Sequence, residues 1–450
     1  MKKIAVIGTG ISGLASAWLL SRRNVVTLYE KDTRPGGHTA TFVTESGQPV
    51  DTGFIVYTEA CYPNLAAMFR ELDVPVQKTR MSFGVSLGDG AYEWAGSDNL
   101  FTVFAQWKNL FSPTHIRMLL ELLKLNARCR ELLAGGQLPA GLSLGQFLDR
   151  EGYSQALRSR YLLPMAGLIW SCSPKQAAEY PADDFMRFFD AHGLFTTVSQ
   201  PQWFSVRGGS HLYVKKLLAR FAGELRLNTG VDQIRRENGQ VLVTSKGVTE
   251  RYDAVVCAAH ADQALRMLGD ASDAEREILS GIPYVGNRVI LHTDTSFLPK
   301  RRAAWSSWNY QHPVDEIHDQ PISGSYWMNL LQNIGGATQY VVTLNPAREP
   351  KAGSVLLDTS YDHPVYSAAS RTTHQRLHEI QGKGGLWFAG AWTGYGFHED
   401  GLRSAVSVAT ALGSPPSWAS VAPAQSPLSR GGAQDLDSRL RGNDEATAAA

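Results

Sequence analysis

The chain opens on a short run that is apolar at every position, Ile4-Ala5-Val6-Ile7, and the run ends at Gly8. Such a run suits a parallel strand buried on both faces. The next residues predict a helix over about Ser12 to Ser21, and Val25 to Tyr29 a second strand. Further on, Leu65, Met68, Phe69 and Leu72 recur at helical spacing, and residues 62 to 133 read as mostly helical. Within them, Phe101, Phe104, Trp107, Leu110, Phe111, Met118, Leu119, Leu122 and Leu123 alternate with Lys and Arg. That amphipathic stretch fits packed helices or contact with a membrane surface. Leu212 to Phe221 predicts a helix, and Leu225 to Ile234 a strand and turn. Gln240 to Ser245 with Thr249 to Tyr252 predicts a small hairpin. Asp253 to His260 reads as another buried parallel strand that runs into a helix. Residues 283 to 345 alternate apolar and polar, as antiparallel strands do, for example at Arg288 to His292, Trp305 to Tyr310 and Tyr340 to Leu344. After Leu412 the periodicity stops, so 413–450 is expected to be a disordered tail.

Glycine spacing adds chemistry to the opening pattern. Gly8 permits a tight turn, Gly10 lets backbone approach a pyrophosphate, and Gly13 lets the helix pack close to the strand. Ile11 and Ser12 then open a helix whose N-terminal N–H groups suit phosphate oxygens. Glu30 ends the second strand where an acid reaches ribose hydroxyls, with Lys31 beside it. The unit predicts a dinucleotide site. Met1-Lys2-Lys3 before an uncharged run also resembles a signal peptide, but the glycine spacing serves a strand–turn–helix and not a hydrophobic helix. No later run is long and apolar enough to span a bilayer.

Composition narrows the class. The 450 residues allow two or three domains, and 43 basic against 42 acidic residues give a net charge of +1. Nothing in that balance argues for nucleic acid. Four scattered cysteines, Cys61, Cys129, Cys172 and Cys257, form no zinc, iron–sulfur or disulfide pattern. A cytoplasmic protein without a metal is expected. Between residues 161 and 215 aromatics are dense, including Trp170, Phe185 to Phe189 and Trp203, which suits either a core or an apolar substrate wall.

Several later words carry a resemblance. Arg34-Pro35-Gly36-Gly37-His38-Thr39, Val50-Asp51-Thr52-Gly53-Phe54, Thr229-Gly230-Val231-Asp232, the strand ending at Ala258, and Leu386 to Ser404 come in sequence. Together with the opening they resemble the FAD-binding superfamily that contains amine oxidases, protoporphyrinogen oxidase and phytoene desaturases. The likeness extends over about residues 1 to 412. It is nearest to bacterial NAD/FAD-binding proteins associated with cyclopropane fatty acid synthases. The resemblance implies an α/β fold. A Rossmann-type FAD-binding domain would come from 1–75, 205–275 and 383–412, and an α+β substrate domain with a mixed or antiparallel sheet from 76–204 and 276–382. It implies non-covalent FAD held by Gly8, Gly10, Ile11, Ser12, Gly13, Glu30, Lys31, Gly36, Gly37, His38, Thr52, Gly53, Phe54, Val231, Ala258, Gly390, Asp400, Gly401 and Leu402. The superfamily commonly carries arginine where this chain has His38. A helix starting near Asp400-Gly401 would aim its N-terminus at the flavin.

The resemblance places His398 beside the flavin, as the candidate to contact substrate, with His192 a second candidate. A loose alignment puts Arg288 where amine oxidases carry a lysine linked by water to the flavin N5. A guanidinium does not titrate and cannot replace that lysine as a base. That weakens the amine-oxidase reading, and the resemblance to proteins associated with cyclopropane fatty acid synthases implies an oxidoreductase that desaturates an apolar, lipid-acyl substrate, possible membrane contact included. An amine oxidase and a redox-neutral flavin isomerase are the alternatives.

Overall fold

The fold is that of a computed structural model, which describes residues 1–96, 100–196 and 201–420. Lys3–Ile7 lies at the centre of a five-stranded parallel sheet, ordered Glu224–Arg226, Val25–Tyr29, Lys3–Ile7, Ala254–Cys257, Leu386–Phe388. Successive side chains of a strand face opposite ways. Ile4, Val6, Val26, Leu28, Ala254 and Val256 therefore share one core with the helices Ile11–Ser21 and His398–Ala411. Ala5, Ile7, Val255 and Cys257 face Ile234, Val241, Val243 and Tyr252 on the other side. These come from a three-stranded antiparallel sheet, Gln233–Glu237, Gln240–Ser245 and Val248–Tyr252. Both faces are covered, which is why the opening run contains no polar residue.

A seven-stranded sheet forms the second body. Its order is Val355–Pro364, Tyr284–His292, Val341–Leu344, Gly324–Trp327, Trp308–His312, Phe83–Leu87, Tyr92–Gly96. Neighbours are antiparallel except Trp308–His312 and Phe83–Leu87, which run parallel. Helices Pro113–Ala134, Leu144–Arg150, Leu163–Trp170 and Ala182–Ala191 share an aromatic-rich core with the Phe83 end of this sheet.

The helical expectation for residues 62 to 133 is corrected between residues 76 and 96. Pro63–Glu71 is a helix, but Val76–Thr79, Phe83–Leu87 and Tyr92–Gly96 are strands. Phe83, Val85 and Leu87 alternate with Gly84 and Ser86, and Gly88, Asp89 and Gly90 take positive φ to close a hairpin. The expected tail is corrected at its start. The chain remains packed to Ser420, where Trp418 stacks on Trp18 at 6.1 Å and donates to Asn64 at 3.1 Å. The rest of that tail, 421–450, lies outside the described residues.

One buried acid joins distant parts of the chain. Asp51 has no exposed surface, and its carboxylate accepts from Thr41 Oγ1, Ser210 N and Oγ, and Gln332 Nε2. Its own amide donates to Gln332 Oε1 at 2.9 Å. Burial pushes its pKa up to about 6 against the pull of these donors. Glu399 does similar work between helices. Its carboxylate accepts from Asn64 N and Leu65 N, each at 3.0 Å, and so caps the Pro63–Glu71 helix.

Two outcomes are expected. Asp51→Ala leaves several donors buried without an acceptor and should lower the unfolding free energy by about 3 kcal/mol in a urea titration. Burial raises the Glu399 pKa from the usual 4.5 to about 7. The native state therefore holds that proton more tightly than the unfolded chain. The stability from this group is full at low pH and is lost as pH rises through about 7. Relative to Glu399→Gln, the wild type should lose about 3 kcal/mol between about pH 4.5 and about pH 8. A flat difference would refute the burial argument.

Candidate active site

A cavity of about 1520 Å³ runs between the two sheets. Its near half is built on the opening strand. Gly8 has φ +98° and donates to the Tyr29 carbonyl at 2.8 Å, which makes the tight turn. Gly10 has an ordinary φ of −61°, and a Cβ there would meet nothing within 4 Å. Its α-hydrogen faces the cavity. A Cβ on Gly13 would lie 1.9 Å from the Gly8 carbonyl oxygen, so that glycine serves helix packing. Gly37 rests against Gly10, its Cβ position 3.1 Å from the Gly10 Cα. The Glu30 carboxylate accepts from Thr9 N and Asp32 N, both at 2.9 Å, and from the Thr9 hydroxyl. Val231, Ala258 and Gly390 complete this half.

The residues present fit a dinucleotide. Gly10 leaves open space where a side chain would stand, and the buried His38 Nε2 has no protein partner. Ile11, Ser12, Lys31, Gly36, Thr52, Gly53, Phe54 and His398 also line the cavity. Gly13, Asp400, Gly401 and Leu402 stand behind that lining. A Cβ on Gly401 would strike Ser12 Oγ at 2.8 Å, so it keeps the C-terminal helix close to the first one. Asp400 accepts from Tyr395 N and Phe397 N, at 3.0 and 3.1 Å, and holds the loop before its own helix. Leu402 is core. That helix begins at His398, two residues before the expected start.

Histidines cluster along the wall. The His38 ring lies 5.9 Å from His260, 5.6 Å from His363 and 5.0 Å from Tyr361. Burial, then the neighbouring imidazoles, lowers the His38 pKa to about 3, and burial above all lowers that of His363 to about 4. His398 stacks on Phe54 at 3.9 Å, and its Nε2 bonds Thr39 Oγ1 at 3.1 Å and Tyr213 OH at 3.2 Å. Burial lowers its pKa to about 3. At neutral pH these rings form a polar wall without charge. His192 also lines the cavity, stacked on Phe188 at 4.0 Å.

The suggested alignment of Arg288 is corrected. Arg288 points outward to Glu349 and Asp358, while its neighbour Val289 lines the cavity. Among the described lining residues, Lys31 is the only lysine, and none is a cysteine. Tyr361 and His363 went unread in the sequence. They sit on the Val355–Pro364 edge strand, whose partial burial leaves only a weak alternation. Gly10→Ala tests the near half. It should fold normally yet purify with at least about tenfold less bound dinucleotide, read as visible absorbance against protein absorbance. Gly13→Ala should instead fail to fold stably.

Residues 11–357 match the family model described as flavin containing amine oxidoreductase. Carotenoid phi-ring synthase of Streptomyces griseus is 29% identical over 287 residues, 60% of this chain and 54% of that protein. The chain thus spans about half the length of the curated relatives it matches. The CLA-producing fatty acid isomerase from P. acnes shares the fold with a TM-score of 0.67 at 15% identity, over 91% of this chain and 98% of that one. Cyclohexylamine oxidase from Brevibacterium oxydans IH-35A gives 0.64 at 16% identity, over 92% and 99%. The match covers well over half of the chain, so the chain belongs to the flavin-containing amine oxidoreductase family, and its cofactor is FAD.

Proposed function

We propose that this chain is an oxidoreductase that desaturates an apolar, lipid-acyl-type substrate. The observation that carries this reading is the far half of the cavity. Its wall includes Phe83, Trp94, Leu122, Tyr161, Met165 and Trp308. The charged lining residues, Glu30, Lys31, Asp32, Arg34, Asp232, Arg266 and Asp362, belong to the dinucleotide segments, except Asp362 beside His363. An alkyl chain gains burial in such a wall, and a charged amine finds no carboxylate among these wall residues. The 29% relative is named for a carotenoid, itself a long apolar molecule.

When bound, FAD would supply the acceptor for a hydride or its equivalent from carbon. The chain orients the substrate and excludes water. We assign 1–75, 205–275 and 383–412 to holding FAD without a covalent link, and 76–204 with 276–382 to the substrate. His398 acts as a positioning group here. Its Nε2 is committed to Thr39 and Tyr213, and its low pKa makes it a poor base.

Anaerobic mixing of the yellow holoprotein with acyl lipids and with a panel of amines tests the reading. Lipids should bleach the flavin, and amines should leave it oxidised. Bleaching by amines alone would establish an amine oxidase instead. A double-bond shift without net bleaching would establish an isomerase.

A further inference from the structure

The far half of the cavity is walled by the Pro113–Ala134 helix and by the segment before it. Leu119, Leu122 and Leu123 line it from that helix, and Val103 and Phe104 from the preceding segment. Leu123 is also 52% exposed, so the same side chain belongs to the cavity wall and to the outer surface. Leu120, one turn earlier on the helix, is 62% exposed, and on the turn that leads into that helix Trp107, Leu110 and Phe111 are 76%, 51% and 77% exposed. Trp107 and Phe111 touch edge to face at 6.2 Å. Large apolar side chains gathered on adjoining elements, rather than scattered singly, mark an interaction surface.

The charges on this face choose the partner. Between residues 100 and 124 the only acid is Glu121, and it is engaged by Arg117 at 2.8 Å and by Ser154 N at 3.1 Å. Lys108 and Lys124 are exposed on these elements as well, Lys108 Nζ donating to the Ala91 carbonyl at 2.6 Å and Lys124 Nζ lying 5.5 Å from the Tyr153 ring. Tryptophan and phenylalanine flanked by lysine is the composition of a face that lies in an anionic lipid interface, with the ammonium groups reaching back to the headgroups. A second copy would bring the same lysines face to face, which disfavours self-association through this patch.

We propose that this face docks on the surface of an anionic lipid bilayer, so that an acyl substrate passes from the membrane into the cavity without crossing water. The entry route rests on the apolar-substrate reading above, whereas the docking itself is measured without turnover. Among the described residues no helix is long and apolar enough to cross a membrane, so contact through this face is peripheral.

Cosedimentation of the holoprotein with vesicles is the test. Vesicles of phosphatidylcholine mixed with phosphatidylglycerol should pull the protein down, and phosphatidylcholine alone should do so more weakly. The double variant Trp107→Glu, Phe111→Glu should lose about tenfold or more of its partitioning. Both positions are exposed, so its flavin absorbance and melting temperature should stay those of the wild type; Leu120→Glu provides a second variant on the neighbouring helix. Equal binding by wild type and variants, or no binding to the mixed vesicles, overturns the proposal. A lipid-free dimer in sedimentation velocity that the double variant abolishes overturns it too, and makes the patch a self-interface. Vesicle binding with no lipid able to bleach the flavin would sink the desaturase reading and leave docking intact.

Discussion

The carboxylate of Asp51 is sealed from water, and donors from three distant parts of the chain converge on it. Thr41 arrives from the paired short strand, Ser210 from the residue before the His211–Ala219 helix, and Gln332 from the end of a short helix beside the seven-stranded sheet. An acceptor this deeply buried has a high cost unless every lone pair is used. The constraint reaches the cavity at once, because Thr52, Gly53 and Phe54 follow directly and form part of its wall. Gly53 is held in turn, since its Cβ position falls 1.8 Å from the His38 carbonyl oxygen. This stretch of the cavity wall is therefore braced from both bodies of the protein.

The cavity changes character along its length. Near the opening strand it offers backbone, an acid and cations, as a charged dinucleotide requires. Midway, His38, His260, His363 and His398 are pushed by burial toward their neutral forms. They can exchange hydrogen bonds there without adding charge beside a reacting carbon. Beyond them the wall is aromatic and aliphatic out to the surface. This gradient, more than any single residue, separates a polar end of the cavity from an apolar one.

The opening unit was legible because each of its constraints is local. A strand covered on both faces needs an unbroken apolar run, and three glycines at fixed spacing meet three separate steric demands. Register was not legible. A shift of one residue turns a strand side chain to the other face, so Val289 lines the cavity while Arg288 pairs with Glu349 and Asp358 outside it. Between Val76 and Gly96 the strands are short, and their alternation was absorbed into the helical spacing on either side. The Val355–Pro364 strand carries cavity residues on a half-exposed edge, where polar residues hide the pattern. The partners of His38 come from positions more than 200 residues away, which no local pattern reports.

The parallel sheet has one more consequence, for the order in which the protein is made. Its central strand is made before its neighbour Ala254–Cys257, and Leu386–Phe388, which closes the edge, is made later still. Gly390 and His398, both on the cavity wall, are later still. The flavin pocket is thus finished only after most of the chain has been synthesised. One face of the first strand is covered early by the Ile11–Ser21 helix, while the Ala5 and Ile7 face waits for Ile234, Val241 and Tyr252. Cofactor supply acts on the last step of folding, by mass action on the completed pocket.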